Sequence, residues 1–181
     1  MQKQQAKKQF TIKYLSRTAL LLALALVFQI GFSQFAQPVV GPLVNMTLFL
    51  ATITVGTMYA IIVGSLTPLI AFMIGIMPLF PVVFFIMIGN IILVTLFSLV
   101  QKFSKTNKDI IKQSIGVICG AVGKFVFLAI SVRYFVTLFI EQVPPHLVEM
   151  LTLPQLYTAL IGGALALFIA KRIQPYLNKI K

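Results

Sequence analysis

Tryptophan is absent from this chain, and cysteine and histidine occur once each, as Cys119 and His146. There are three acidic residues: Asp109, Glu141 and Glu149. Each scarcity excludes something. A single cysteine leaves no intramolecular disulfide and no cysteine-based metal cluster. One histidine and three acids are a poor supply for catalysis inside a membrane, which still needs general acids, bases, nucleophiles or metal ligands. No HExxH, GxSxG or Walker-type sequence occurs, so the chain has no ATPase motif of its own. A proton-coupled carrier usually places an acid within a helix, and none of the three lies well inside one. His146 and Glu149 fall in the outer loop Glu141–Leu153, where they read as a solvated pair rather than a metal site. Any interfacial belt must come from Tyr and Phe.

What the chain does have is apolar sequence. Of its 181 residues 59% are hydrophobic and only 10% are charged, with 15 Lys and Arg. Such a chain cannot cover itself with polar surface, which rules out a water-soluble globule and a disordered segment. A nucleic-acid face would need its cations clustered on a soluble scaffold, whereas here they punctuate apolar runs. Lys3, Lys7, Lys8, Lys13 and Arg17 precede the first run, and Lys102, Lys105, Lys108 and Lys112 occupy the one long polar interruption. Lys171, Arg172, Lys179 and Lys181 close the chain. The positive-inside rule puts all three groups in the cytoplasm.

Parity then sets the helix count. The 62 residues from Val39 to Val100 carry no charge, and must begin outside and end inside. A span takes roughly 20 residues, so three crossings fit there, with breaks at Gly56 and at Gly75…Pro78…Pro81. The expectation is an all-α membrane protein of six transmembrane helices with both termini cytoplasmic. Its approximate spans are 18–36, 43–56, 58–76, 81–100, 114–140 and 154–172, between cytoplasmic tails at 1–17 and 173–181.

The few polar residues inside these spans are costly there and therefore informative. Asn45 opens the second helix, Asn90 lies nine residues after Pro81, Arg133 seven before Ile140, and Gln155 starts the sixth, one turn before Thr158. All fall in the outer half of the bilayer, as an outward-facing pocket requires. Arg133 is read as a pocket residue able to grip a carboxylate bidentately, against the alternative of snorkelling to the headgroups. Lys124 lies nine residues earlier and so on the opposite helix face. It is expected to snorkel inward or touch a partner. For Asn45, Asn90 and Gln155 the alternatives are helix capping and interhelical hydrogen bonds.

Small residues recur at helical spacing: Ala19 and Ala23 on the first helix, Gly116, Gly120 and Gly123 on the fifth, and Ala159, Gly163, Ala166 and Ala170 on the sixth. Such stripes let helices approach closely, and internal packing is the default reading of any one of them.

From about Arg17 to Arg172 the chain resembles the substrate-binding (S) subunits of energy-coupling factor (ECF) transporters, which import vitamins in prokaryotes. The resemblance rests on size, helix count, the Ala19/Ala23 pair and a glycine-punctuated pattern. That pattern runs Val40-Gly-Pro-Leu-Val-Asn45, Val55-Gly56, Val63-Gly64-Ser-Leu-Thr-Pro68 and Ile88-Gly89-Asn90. It implies a multi-pass plasma-membrane protein that binds its vitamin from outside, between the last three helices and the outer loops. It also implies docking through Ala19 and Ala23 on a transmembrane coupling subunit joined to two cytosolic ATPases. ATP would be used by those partners, and this chain would need no cofactor or metal. The pocket set is Arg133, Asn90, Asn45, Gln155 and Thr158. Arg133 directs the choice toward an anionic vitamin, pantothenate first, ahead of neutral pyridoxine or hydroxymethylpyrimidine. The rival reading is a structural membrane subunit of a cell-wall assembly complex, which would need no polar cluster at one depth.

Overall fold

Uninterrupted apolar sequence with few breakers leaves the backbone one economical solution in lipid, the helix, which satisfies its own N–H and C=O groups. The computed structural model describes residues 2–33, 37–77, 79–104, 109–135 and 145–179, and these form helices without strands. In chain order they are α1 (Gln2–Gly31), α2 (Gln37–Thr54), α3 (Thr57–Met73), α4 (Phe80–Phe103), α5 (Asp109–Ile130), α6 (Pro145–Met150) and α7 (Leu153–Lys179). A π-helical turn, Ser131–Phe135, extends α5.

Four stretches are long and apolar enough to cross a membrane: Ile12–Gly31, Phe80–Phe103, Asp109–Tyr134 and Val148–Ile173. The other two expected spans are the shorter apolar helices Pro38–Thr54 and Thr57–Met73. The expected breaks are found. Gly56 adopts φ 110° between α2 and α3, and Gly75 adopts φ 79° between α3 and α4. Both lie in the left-handed region where glycine alone is unstrained. Pro81 sits in the first turn of α4, where its missing N–H costs nothing.

Several boundaries differ from expectation: α1 is already helical at Gln2, within the expected tail, α5 is helical from Asp109, and α7 runs on to Lys179. α2 starts at Gln37 and runs through Pro42, so Asn45 lies well inside the helix rather than at its opening. Gly41-Pro42 does not break the helix, although Pro42, as its sixth residue, leaves the Pro38 carbonyl without its helical donor. The loop expected at Glu141–Leu153 contains the short helix α6, whose first residue is Pro145. Proline is pre-organised for that position. Glu141, Pro144 and residues 136–140 lie outside the described residues.

The two internal small-residue stripes are contact surfaces. A Cβ added at Gly120 would sit 2.6 Å from the Leu93 carbonyl oxygen of α4, and one at Gly116 would sit 2.9 Å from the Phe97 ring. On α7, Ala159, Ala166 and Ala170 are buried. Beside them, a Cβ at Gly162 would meet the Pro42 carbonyl oxygen of α2 at 2.5 Å. Close backbone approach, and the dispersion contacts it allows, holds helices together in lipid. Between the stripes Phe49 and Phe97 are fully buried and meet edge-to-face, ring centroids 5.1 Å apart. α1 is the exception. Ala19 and Ala23 are exposed, and only 17% of its spanning window is covered, against 39–44% in the other three spans.

Candidate functional site

Most hydroxyls in the bundle are already spent on their own helices. Thr47, Thr52 and Thr67 each donate to the carbonyl four residues back, at 2.7–2.9 Å. Apart from the Thr57–Ser98 pair and the Gln101 bond to the Lys112 carbonyl, the interhelical polar contacts form a cluster centred on Lys124 of α5. Its side chain is 3% exposed, and it is the one charged residue among the described residues that is buried. The ammonium Nζ donates to Asn45 Oδ1 of α2 and to Asn90 Oδ1 of α4, both at 2.8 Å.

The two asparagines are themselves oriented. Asn90 Nδ2 donates to the Gly64 carbonyl of α3 at 2.8 Å, and Asn45 Nδ2 reaches Thr158 Oγ1 of α7 at 3.4 Å. Turning either amide over would set an NH₂ group against an ammonium that can only donate. Gln155 Nε2 donates to the Met150 carbonyl at 3.2 Å, leaving its Oε1 free of that bond. Glycines make the room. A Cβ at Gly64 would lie 3.1 Å from Asn90 Cβ, and one at Gly41 would lie 2.8 Å from Thr158 Cβ. Asn45, Asn90, Lys124 and Gln155 line one cavity of about 50 Å³ together with Gln29 of α1 and Pro68 of α3. All six long helices thus contribute to one site.

Four of the five pocket residues expected from sequence, Asn45, Asn90, Gln155 and Thr158, therefore come together. Arg133 does not join them. It is exposed, in a separate groove of about 840 Å³ beside Tyr134, Val148 and Leu153. The opposite-face relation between Arg133 and Lys124 is present, and it is the lysine that points inward.

Two signals in the sequence pointed to Lys124. It lies 15 residues after Asp109, about 22 Å along a helix, beyond what a four-carbon stem spans by snorkelling. It also shares a face with Val117, Gly120 and Leu128, all buried. Ser131, seven residues further and on the same face, has a buried hydroxyl without a partner among the described residues. Of the His146/Glu149 pair, Glu149 is exposed. Among the described residues no three potential metal ligands gather.

A family model for the ECF transporter substrate-specific component matches residues 13–174. The chain belongs to that family. ECF substrate-specific components are substrate-binding subunits of importers rather than catalysts, and this member is a multi-pass membrane protein. No curated protein and no solved structure gives a match. In this ECF component the glycine-punctuated segments Gly41–Asn45 and Gly89-Asn90, with Gly64, frame the Lys124 cluster.

Proposed function

We propose that this chain captures a small water-soluble vitamin, with pantothenate first among the candidates, on the outer face of the prokaryotic plasma membrane. It delivers the vitamin by associating with a transmembrane coupling subunit and two cytosolic ATPases, which supply the ATP chemistry. In this reading both termini and the basic loop around Lys105 are cytoplasmic, and Ala19 and Ala23 form the docking face.

The observation that carries the reading is the buried polar cluster around Lys124, to which six helices of an otherwise apolar bundle contribute. An ionisable residue buried within a membrane helix marks a ligand site or pathway by default. At about 50 Å³ the cavity is smaller than the ~300–1,000 Å³ typical of small-molecule sites. Capture therefore requires the helices around it to part. A wall-assembly scaffold has no use for such a cluster.

Native mass spectrometry of the protein purified from an expressing culture tests the reading. One vitamin is expected to remain bound and to be released on denaturation. Recovery of wall-synthesis proteins without any vitamin would favour the scaffold instead.

A further inference from the structure

We infer that Lys124, held by Asn45 and Asn90, is the receptor for the charged group of the ligand, and that this group is a single carboxylate. The inference rests on the vitamin-capture reading and specifies its substrate class.

Charge balance is the starting point. Burying an ammonium costs several kcal/mol, and neutral dipoles offset only part of that. Among the described residues no carboxylate compensates Lys124. Asp109 begins the same helix, about 22 Å away along it, and Glu149 is exposed. Glu141 lies outside the described residues. Two of the three ammonium N–H groups are taken by the asparagine oxygens, and the third remains for a ligand. The asparagines cannot turn to serve an anion themselves, because their NH₂ groups are anchored on Gly64 and Thr158. They aim the lysine, and the lysine meets the anion.

One buried cation matches one negative charge. A phosphate monoester brings about −1.5 to −2 at pH 7 and would leave buried negative charge unpaired. A neutral ligand would leave the ammonium as it is. The remaining wall groups suit the uncharged part of the molecule. Gln155 Oε1 and the Gln29 amide, which makes no side-chain hydrogen bond to another described residue, face hydroxyl or amide groups. The ligand class is a hydroxylated or amide-bearing monocarboxylate. Arg133, exposed in its own groove, is not the anion receptor.

The test uses the full chain in lipid nanodiscs, washed free of ligand and titrated calorimetrically. The probes are pantothenate, biotin, nicotinate, pyridoxine and the neutral alcohol or amide analogue of each acid. One carboxylate is expected to bind, with its neutral analogue weaker by about 100-fold, the scale of a charge-assisted hydrogen bond. Lys124→Met should lose a similar factor for the acid and little for the analogue. Asn45→Asp supplies a resident counter-charge at the cost of the bond to Thr158 Oγ1, so it should fold and lower acid affinity relative to the analogue by about 100-fold. This second variant guards against a Lys124→Met protein that fails to fold.

Equal affinity for acid and analogue overturns the inference, as does unchanged acid binding by Asn45→Asp. A loss that follows Arg133→Ala instead of Lys124→Met also overturns it. Tight binding of pyridoxine overturns it while leaving the vitamin-capture reading standing. Failure of every probe to bind overturns both.

Discussion

Tryptophan at both Ala19 and Ala23 is expected to cut vitamin uptake by about 30-fold or more while leaving vitamin affinity unchanged. Over-packing at a close helix interface costs about 1–3 kcal/mol per site, and two sites at the lower bound already account for the uptake figure. Ala19 and Ala23 are exposed, and Leu15, Leu20 and Val27 on the same helix are 62%, 71% and 59% exposed. Bulk added there meets lipid in the isolated subunit, so folding and binding are spared. The cost appears only when a second helix must approach. Uptake in whole cells and calorimetry on the purified variant separate the two effects. Normal uptake by the double variant would remove this face as the docking site.

Gly162→Val attacks the fold and the site together. Its first added carbon would meet the Pro42 carbonyl oxygen at 2.5 Å, Asn45 Cβ at 2.8 Å and the Met46 amide nitrogen at 2.8 Å. Two of those three atoms are backbone, so no side-chain rotation relieves the clash, and α2 must move away from α7. A loss near the top of the over-packing range, about 3 kcal/mol, is expected in thermal unfolding in detergent. Ligand binding should be lost as well, because α2 carries Asn45. Gly31→Ala is the matched control: an added Cβ there meets nothing within 4 Å, and its melting temperature should not fall. A Gly162→Val protein with wild-type stability and affinity would mean that α2 and α7 are not packed this closely.

These variants also mark where sequence reasoning succeeded and where it stopped. Gly56 and Gly75 were legible as breaks because a left-handed backbone leaves few other residue choices. Asn45, Asn90, Gln155 and Thr158 were legible because a polar side chain in hydrocarbon must have a use. Lys124 reads from spacing as a snorkelling or partner-contacting residue before a ligand contact, and the structure buries it against Asn45 and Asn90. Spacing puts Arg133 nearer the outer surface than Lys124, but it does not say which of the two opposite faces packs inward. The described part of their shared helix spans Asp109–Phe135. Direct contact puts Lys124 at the depth of Asn45 and Asn90, since its ammonium reaches both amide oxygens at 2.8 Å.

Composition and spacing alone determined that the chain is helical, embedded in lipid and free of the usual catalytic motifs. They also determined which handful of polar residues had to be explained. Those conclusions follow from the free energy of transferring groups into hydrocarbon, a property of each residue by itself. Tertiary structure decided which helix faces meet. It turned Lys124 inward onto Asn45 and Asn90 and left Arg133 exposed in a separate groove. It spent the glycines of α5 and α7 on close packing, and it left Ala19 and Ala23 uncovered. An Ala-x-x-x-Ala stripe reads the same whether it is buried or exposed, and two cations nine residues apart can each be the one that faces in. Only the packing of six helices against one another distinguishes them, because burial belongs to the pair of surfaces and not to the residue.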